Sequence, residues 1–574
     1  MTTTTTTMEG QNRAMRARAL GDIARERASE RTLWRRARTR ANDKRVMGAR
    51  DARASERRAR AGFDASVIRE TIEGAIEARE PRSPAATLIN DDLAPVLARD
   101  RTFTTADMAN LWVGLVVQIP SWTLCASILA QGFSAAEALT CVLFANILVL
   151  VPLVLNGIPG TKYGLSYPVL CRAAFGVRGA NVAALSRAVV ACGWFGIQTN
   201  MGGQALKSIG VSAFGDAFER GFGAIDWLGL STTDLACYAA FLSVQLWVIW
   251  HGIESIRKLE EYAAPVLVVL SLALFVWALS AAGGMGPMFA APSAFAVGGA
   301  RQGQFWKAFF PVVTATVGFW STLSLNISDF TRYAKNQKAQ ILGQLIGLPF
   351  FMAAFCFISV AVTSCTVVIY GAAINDPIAL VSRMRNGPLM TIFAMVGLVL
   401  ATMSTNIAAN VVAPANALAN AFPRNVSFRR AGLITAAIGT SLMPWKLTGD
   451  GYVFIWLIGY AAFLGPITGI MLADYFILRR RELDIDALYT DSAKSQYWYN
   501  RGFNPSAFIS FAVGVALCLP GFLHVVGAYP DAPIFFRILY DAAFFVGFFV
   551  GGGLHVALTN FERSRAKSVT ASTP

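Results

Sequence analysis

The chain has 574 residues, of which 55% are hydrophobic and only 15% charged. Soluble domains carry about 25% charged residues, so this composition excludes an ordinary water-soluble fold and points to lipid as the solvent. The formal charge of +15 is unevenly spread, with seventeen Lys/Arg against eight Asp/Glu in residues 1–65.

The segment from Met1 to Arg99 has no long apolar run. Without an apolar core segment it does not read as a secretory signal peptide. Its Thr tract and Arg/Ala-rich continuation leave two readings. One is an organellar transit peptide, against which the acidic residues weigh. The other is a disordered basic tail lying near anionic lipid. Neither a stacking pattern nor a basic-aromatic motif points to nucleic acid.

A membrane helix needs about 20 mainly apolar residues. About twelve such spans follow: 107–130, 135–156, 180–205, 233–251, 262–283, 306–328, 341–370, 388–421, 430–445, 452–478, 504–526 and 533–557. With the amino terminus on the cytoplasmic side, the loops after spans 2, 4, 6, 8 and 10 hold sixteen Lys/Arg and the opposite loops eight. That is the bias of the positive-inside rule. The expected organisation is a tail (1–100), a ten-helix core (101–481), two additional helices (482–560) and a short C-terminal tail (561–574).

Polar residues and helix breakers inside a span are costly unless they line a cavity. Span 1 carries Gly114 and Gln118 with Pro120 in mid-span. This is either a plain proline kink or a break whose freed carbonyls bind a cation or a substrate. Span 3 carries Trp194 and Gln198, which at i and i+4 share one helix face. They suit a helix contact or a flat, hydrogen-bonding ligand. Span 6 runs from Trp320 through Ser321, Thr322, Ser324, Asn326 and Ser328 to Asp329, too polar to face lipid. Span 8 presents Ser404, Thr405, Asn406 and Asn410, the two amides one turn apart. The broken span 1 and the polar span 6 are five spans apart. That spacing suits two five-helix repeats of opposite topology with a site at their interface.

Eight scattered cysteines form no CxxC pair and read as buried free thiols. Three distant histidines, and the absence of any nucleotide-binding or hydrolase motif in a usable context, leave neither a cofactor nor a catalytic constellation in view, so no enzyme is expected.

Taken in order, Asn90-Asp-Asp-Leu-Ala-Pro95, Asn110-Leu-Trp-Val-Gly114 with Gln118-Ile-Pro120, Gly160-Thr-Lys-Tyr-Gly164, Arg172-Ala-Ala-Phe-Gly176, Gly193-Trp194 with Gln198, Ser404-Thr-Asn406 with Asn410, and Gly465-Pro466 with Asp474-Tyr475 form a recognisable pattern. The chain resembles the nucleobase:cation symporter 1 family, including its plant plastidic branch. The resemblance implies an all-α integral membrane protein with the leucine-transporter-like 5+5 inverted repeat plus two extra helices. It implies a symporter of uracil, purines, allantoin or hydantoins coupled to H+ or Na+, working in the plastid envelope or the plasma membrane without an obligate protein partner. The resemblance assigns substrate binding to Trp194, Gln198, Trp320, Asn410 and Gln118. It assigns a Na+ site to Gly114, Val117, Ala401, Ser404 and Thr405. One departure is Phe319, which stands where the bacterial carrier has glycine and should reshape the pocket. No ionisable residue is expected beside the mapped pocket.

Rival readings are weaker on the residues. A channel would need filter-like loops, and a membrane enzyme would need clustered His, Asp or Glu. An amino-acid carrier on the same fold would need an unwound helix that captures a carboxylate, whereas the two tryptophans favour a flat ring.

Overall fold

The computed structural model describes residues 75–221, 223–384, 388–446 and 452–572. Contacts divide the chain into residues 1–71 and 72–574, and all that follows concerns the second unit. The two tail readings fall mostly on residues 1–74, outside the described residues.

The helices run in this order: α1 (Thr105–Val116), α2 (Ile119–Ala130), α3 (Ala135–Tyr163), α4 (Tyr167–Phe175), α5 (Ala180–Phe214) and α6 (Asp216–Arg220). A two-stranded hairpin, β1 (Ala224–Ile225) and β2 (Leu230–Ser231), leads to α7 (Thr232–His251) and α8 (Ile253–Ala282). Then come α9 (Phe305–Asn326), α10 (Ser328–Thr331), α11 (Gln337–Leu345), α12 (Phe351–Tyr370), α13 (Pro377–Arg383), α14 (Pro388–Asn410) and α15 (Val412–Ala421). The chain ends with α16 (Phe428–Ser441), α17 (Tyr452–Leu472), α18 (Ile485–Leu488), α19 (Pro505–Val525), α20 (Ile534–Asp541) and α21 (Ala543–Ser572).

Among the described residues ten helical segments are long and apolar enough to cross a bilayer, and the bent pair α1–α2 makes up to eleven. The expected ninth span is the 14-residue α16. At 1.5 Å per residue it is about 21 Å long, short of a hydrocarbon core of about 30 Å. The last helix continues to Ser572, through most of the expected C-terminal tail. All eight cysteines are free and buried.

Burial separates inner helices from outer ones. The apolar windows of α9 and α5 are 83% and 72% buried in protein, whereas those of α8 and α21 are 22% and 28%. Helices buried all round can carry polar residues toward one another; lipid-facing helices cannot. Two of the polar spans identified in the sequence, 3 and 6, are thus among the helices the fold places inside.

The two faces follow from loop contacts. Residues 77–93 run across one end. Glu77 pairs with Lys162 at 3.1 Å and Arg79 with Asp486 at 2.7 Å. Arg172 Nη2 donates to Leu88 O, Arg332 Nη1 to Asp92 O, and Phe428 N to Asp92 Oδ2. The ends after spans 2, 6, 8 and 10 thus share this face with the segment before span 1. At the opposite face Trp445 donates to Leu228 O and Arg301 to Gln131 O, joining the ends after spans 1, 3, 5 and 9. This is the alternation that the loop charges require. Residues 75–100, expected as tail, are a strap packed on the helix ends.

Candidate functional site

The site begins at a helix break. Thr104 and Asp107 cap α1 reciprocally, each side chain taking the other's backbone N–H, a strong start signal. The helix stops at Val116; Val117 (φ −80°, ψ 81°) leaves helical geometry and Gln118 (φ −147°, ψ 160°) is extended. Ile119-Pro120 restarts it as α2, with proline in the first turn where no N–H is needed. The two halves diverge by 59°. Of the two sequence readings, the structure shows a full interruption rather than a kink.

Gln118 turns its side chain into the break. Its Nε2 donates to Leu115 O at 2.7 Å, and its Oε1 accepts from Gln198 Nε2 at 2.9 Å. Gln198 Oε1 is buried with no partner. Helix α14 meets the other side of the break, where Thr405 Oγ1 donates to Gly114 O at 2.7 Å. Gly114, Val117, Ala401, Ser404 and Thr405 are all buried. Their carbonyl and hydroxyl oxygens are hard donors of the kind that suit a small alkali cation. The Thr405–Gly114 pairing shows α1 and α14 already within one bond of each other.

Asn410 Nδ2 donates to Asn406 Oδ1, and Asn406 Nδ2 donates to Phe195 O and Thr199 Oγ1. Thr199 Oγ1 lies 3.0 Å from Gln245 Oε1 of α7. Trp194 and Gln198 lie on α5 beside this network. The amides from spans 1 and 3 are therefore brought together directly, and Asn410 joins them through Asn406 and the α5 backbone.

The aromatic rings at the site form a run of edge contacts. Trp194 meets Phe319 edge-on at 6.0 Å, Phe319 meets Trp320 at 4.8 Å, and Trp320 meets Trp112 at 5.3 Å. The ring contacts thus run from Trp194 through Phe319 to Trp320. The Nε1 atoms of Trp112 and Trp320 are buried without a partner. Helix α17 closes a third side: a Cβ on Gly193 would lie 3.0 Å from the Trp456 ring, and one on Gly318 2.9 Å from Leu457 O.

A buried cation stands near these residues. Arg187 is 1% exposed. Its Nε donates to Thr322 O at 2.8 Å and to Asn326 Oδ1 at 3.1 Å; Nη2 donates to Ala409 O at 2.9 Å. Ala409 is the chain neighbour of Asn410, so this ionisable group reaches the backbone beside one mapped residue. Asn326 Nδ2 in turn donates to Asp329 at 3.3 Å, and Asp329 accepts the backbone N–H of Tyr167. Asn326 thus bridges a buried cation and a buried anion across α5, α9 and α4. A charged residue in the first third of an apolar span was the signal that could have found Arg187. Thr199 sits in the polar run Gln198-Thr199-Asn200, whereas Gln245 is a single amide in a mainly apolar stretch.

On the other side of the break lies a cavity of about 150 Å³ lined by Val117, Gln118, Trp122, Trp277, Phe393 and Ala401 among others.

Residues 95–551 match the family described as permease for cytosine/purines, uracil, thiamine and allantoin. The chain is 42% identical over 496 residues to the purine-uracil permease NCS1 of Arabidopsis thaliana, covering 85% of this chain and 80% of that one. It belongs to the nucleobase:cation symporter 1 family of permeases. The allantoin permease of Bacillus subtilis is 37% identical over 486 residues, covering 84% of this chain and 95% of its own length. The solved closed conformation of Mhp1, a nucleobase-cation-symport-1 family transporter with bromovinylhydantoin bound, superposes with a TM-score of 0.68 at 23% identity, covering 82% and 95% of the two chains. Like other members of this family, the chain is a multi-pass membrane transporter and not an enzyme. The all-α, leucine-transporter-like fold expected from the sequence is the observed one.

Proposed function

We propose that this permease carries flat, amide-bearing heterocycles (uracil, purines, allantoin or hydantoins) by alternating access, in symport with H+ or Na+. The observation that carries the reading is the meeting of Gln118, at a full helix break, with Gln198, whose buried Oε1 has no partner. A buried polar atom left unmade costs about 1–3 kcal/mol, and a ring N–H is the group that would satisfy it. Trp194 supplies the stacking face, and base–aromatic stacking contributes about 1–3 kcal/mol with little regard to base identity. Edge hydrogen bonds from Gln118, Gln198 and Asn410 then select among rings. Trp320 forms the far wall of the site.

For Na+, the carbonyls of Gly114, Val117 and Ala401 and the hydroxyls of Ser404 and Thr405 would be the ligands. A cation there would take the oxygens that Thr405 and Gly114 now share and so tie α14 to the broken helix. That links ion occupancy to the geometry of Gln118 four residues on. The membrane that houses the carrier is the plastid envelope or the plasma membrane.

The test is uptake of labelled uracil, adenine, guanine and allantoin into cells lacking their own carriers, with and without a proton uncoupler and with sodium varied. Saturable uptake of at least one compound is expected. Loss on uncoupling assigns the proton; dependence on sodium assigns the α1–α14 oxygens. No uptake of any of the four by surface-expressed protein would overturn the reading.

A further inference from the structure

The cavity beyond the helix break is walled separately from the tryptophans. Its lining comes from the break itself and from α2, α8, α12, α13 and α14, and none comes from α5, α9 or α17, which carry Trp194, Trp320 and Trp456. The lining is apolar apart from Gln118 and Ser271. Both are already bonded, Gln118 within the break and the Ser271 hydroxyl to Leu267 O of its own helix. A dry apolar space of about 150 Å³ is large enough to take up benzene. At its inner end stand Val117 and Ala401, and Trp122 and Phe355 are buried in its wall. On α8 and α14, by contrast, Ala273 and Phe393 are exposed, and both helices cross the membrane. The cavity therefore opens sideways, toward acyl chains. Its rim includes Val381 and Met384, at the end of α13. Met288 N donates to Ser364 Oγ, joining the end after span 5 to the end of α12, so α13 stands at the outer face. Residues 371–384 hold two charges. Asp376 accepts Ile378 N at the far end of α13, and Arg383 is exposed between Val381 and Met384.

We propose that this cavity is a fatty-acid site, with the tail between α8 and α14 and the carboxylate at Arg383. One tail suits the volume, and a guanidinium at the membrane surface suits one anionic head. Moving a tail from lipid into protein exchanges one apolar medium for another, so the favourable term is the filling of a void whose walls otherwise lack partner atoms. The cost of an empty cavity scales with its volume, and for about 150 Å³ it corresponds to roughly a few hundredfold in a binding constant. The head adds at most about fivefold, as exposed ion pairs do. The end of the tail meets Val117 and Ala401; that an occupant there bears on ion binding rests on the cation assignment of the proposed function.

The full-length chain in detergent micelles tests this, photolabelled with palmitate that carries a diazirine at the end of its tail. Peptide mapping should place saturable label on cavity residues such as Trp122 or Phe355. Unlabelled palmitate should displace it, and hexadecanol should do so about two- to fivefold less well. Arg383→Gln should erase that difference. Ala394→Phe and Ser271→Phe fill the space from two different helices, and each should weaken labelling at least tenfold. Either variant decides the matter if it runs as a single species with the wild-type melting temperature. Label confined to lipid-exposed faces overturns the proposal, as does label undiminished in a folded, filled variant. Displacement by hexadecanol or by phosphatidylcholine as effective as that by palmitate also overturns it. No uptake enters these readouts, so failure of the transport reading leaves the outcome legible.

Discussion

Gln198→Met offers the sharpest probe of the site, because methionine nearly matches glutamine in length and removes both polar atoms. The Gln198 amide donates one bond, to Gln118 Oε1 at 2.9 Å, and holds one unpartnered acceptor. In the ligand-bound carrier the free Oε1 would take a ring N–H. Losing that contact leaves the ring's donor unmade, at about 1–3 kcal/mol. With tenfold per 1.4 kcal/mol, the dissociation constant for the best base should rise roughly five- to hundredfold. Gln118→Met should act similarly. If one ring bridges both amides, the double variant should fall short of the summed losses by about 0.5–3 kcal/mol, the coupling seen between groups in one network. The assay is tryptophan quenching on purified protein, with half-saturation of uptake in parallel. Strictly additive losses, or an unchanged dissociation constant in a correctly inserted Gln198→Met, would refute the bridging role.

Other outcomes follow from the same geometry. Trp194→Ala should abolish uptake while membrane insertion stays intact; retained uptake with unchanged half-saturation would remove the stacking platform from the account. Thr405→Val removes the hydroxyl that reaches Gly114 O. In a sodium-coupled carrier it should raise the sodium concentration for half-maximal uptake at least tenfold, whereas a proton-coupled one should show only a modest loss of thermal stability. Arg187→Met leaves the Thr322 and Ala409 carbonyls and Asn326 Oδ1 without their donor. At about 1–3 kcal/mol per buried unmet group, purified protein should melt markedly lower, and an unchanged melting temperature would contradict this. At the strap, the Arg79 guanidinium holds the Asp486 carboxyl down to about 2. A carboxylate whose folded value is depressed contributes above its unfolded range and loses that contribution as pH falls toward 2. The small stability gap between wild type and Asp486→Asn should therefore be constant near neutrality and close between about pH 4 and pH 2.

Much of this protein was legible before any coordinates. Composition alone dictated a lipid-embedded helical chain, because so few charges cannot cover a soluble surface. Span positions followed from apolar length, and topology from loop charge, since both are local, additive properties of the chain. Gln118, Trp194, Gln198, Ser404, Thr405 and Asn410 could be singled out because polar and breaking residues inside apolar spans are expensive wherever they occur. Tertiary structure decided what local rules cannot encode. Whether Pro120 kinks a helix or restarts one depends on what satisfies the freed groups, here Gln118 and Thr405. The strap at 77–93 carries no apolar signal, and only its partners on distant helix ends fix it. Arg187 is one charge in the first third of a span, and only the fold brings three carbonyl or amide oxygens from α9 and α14 onto it. The contact of Phe319 with Trp194 joins α9 to α5 through two residues more than a hundred positions apart in sequence, and no spacing within either helix contains it.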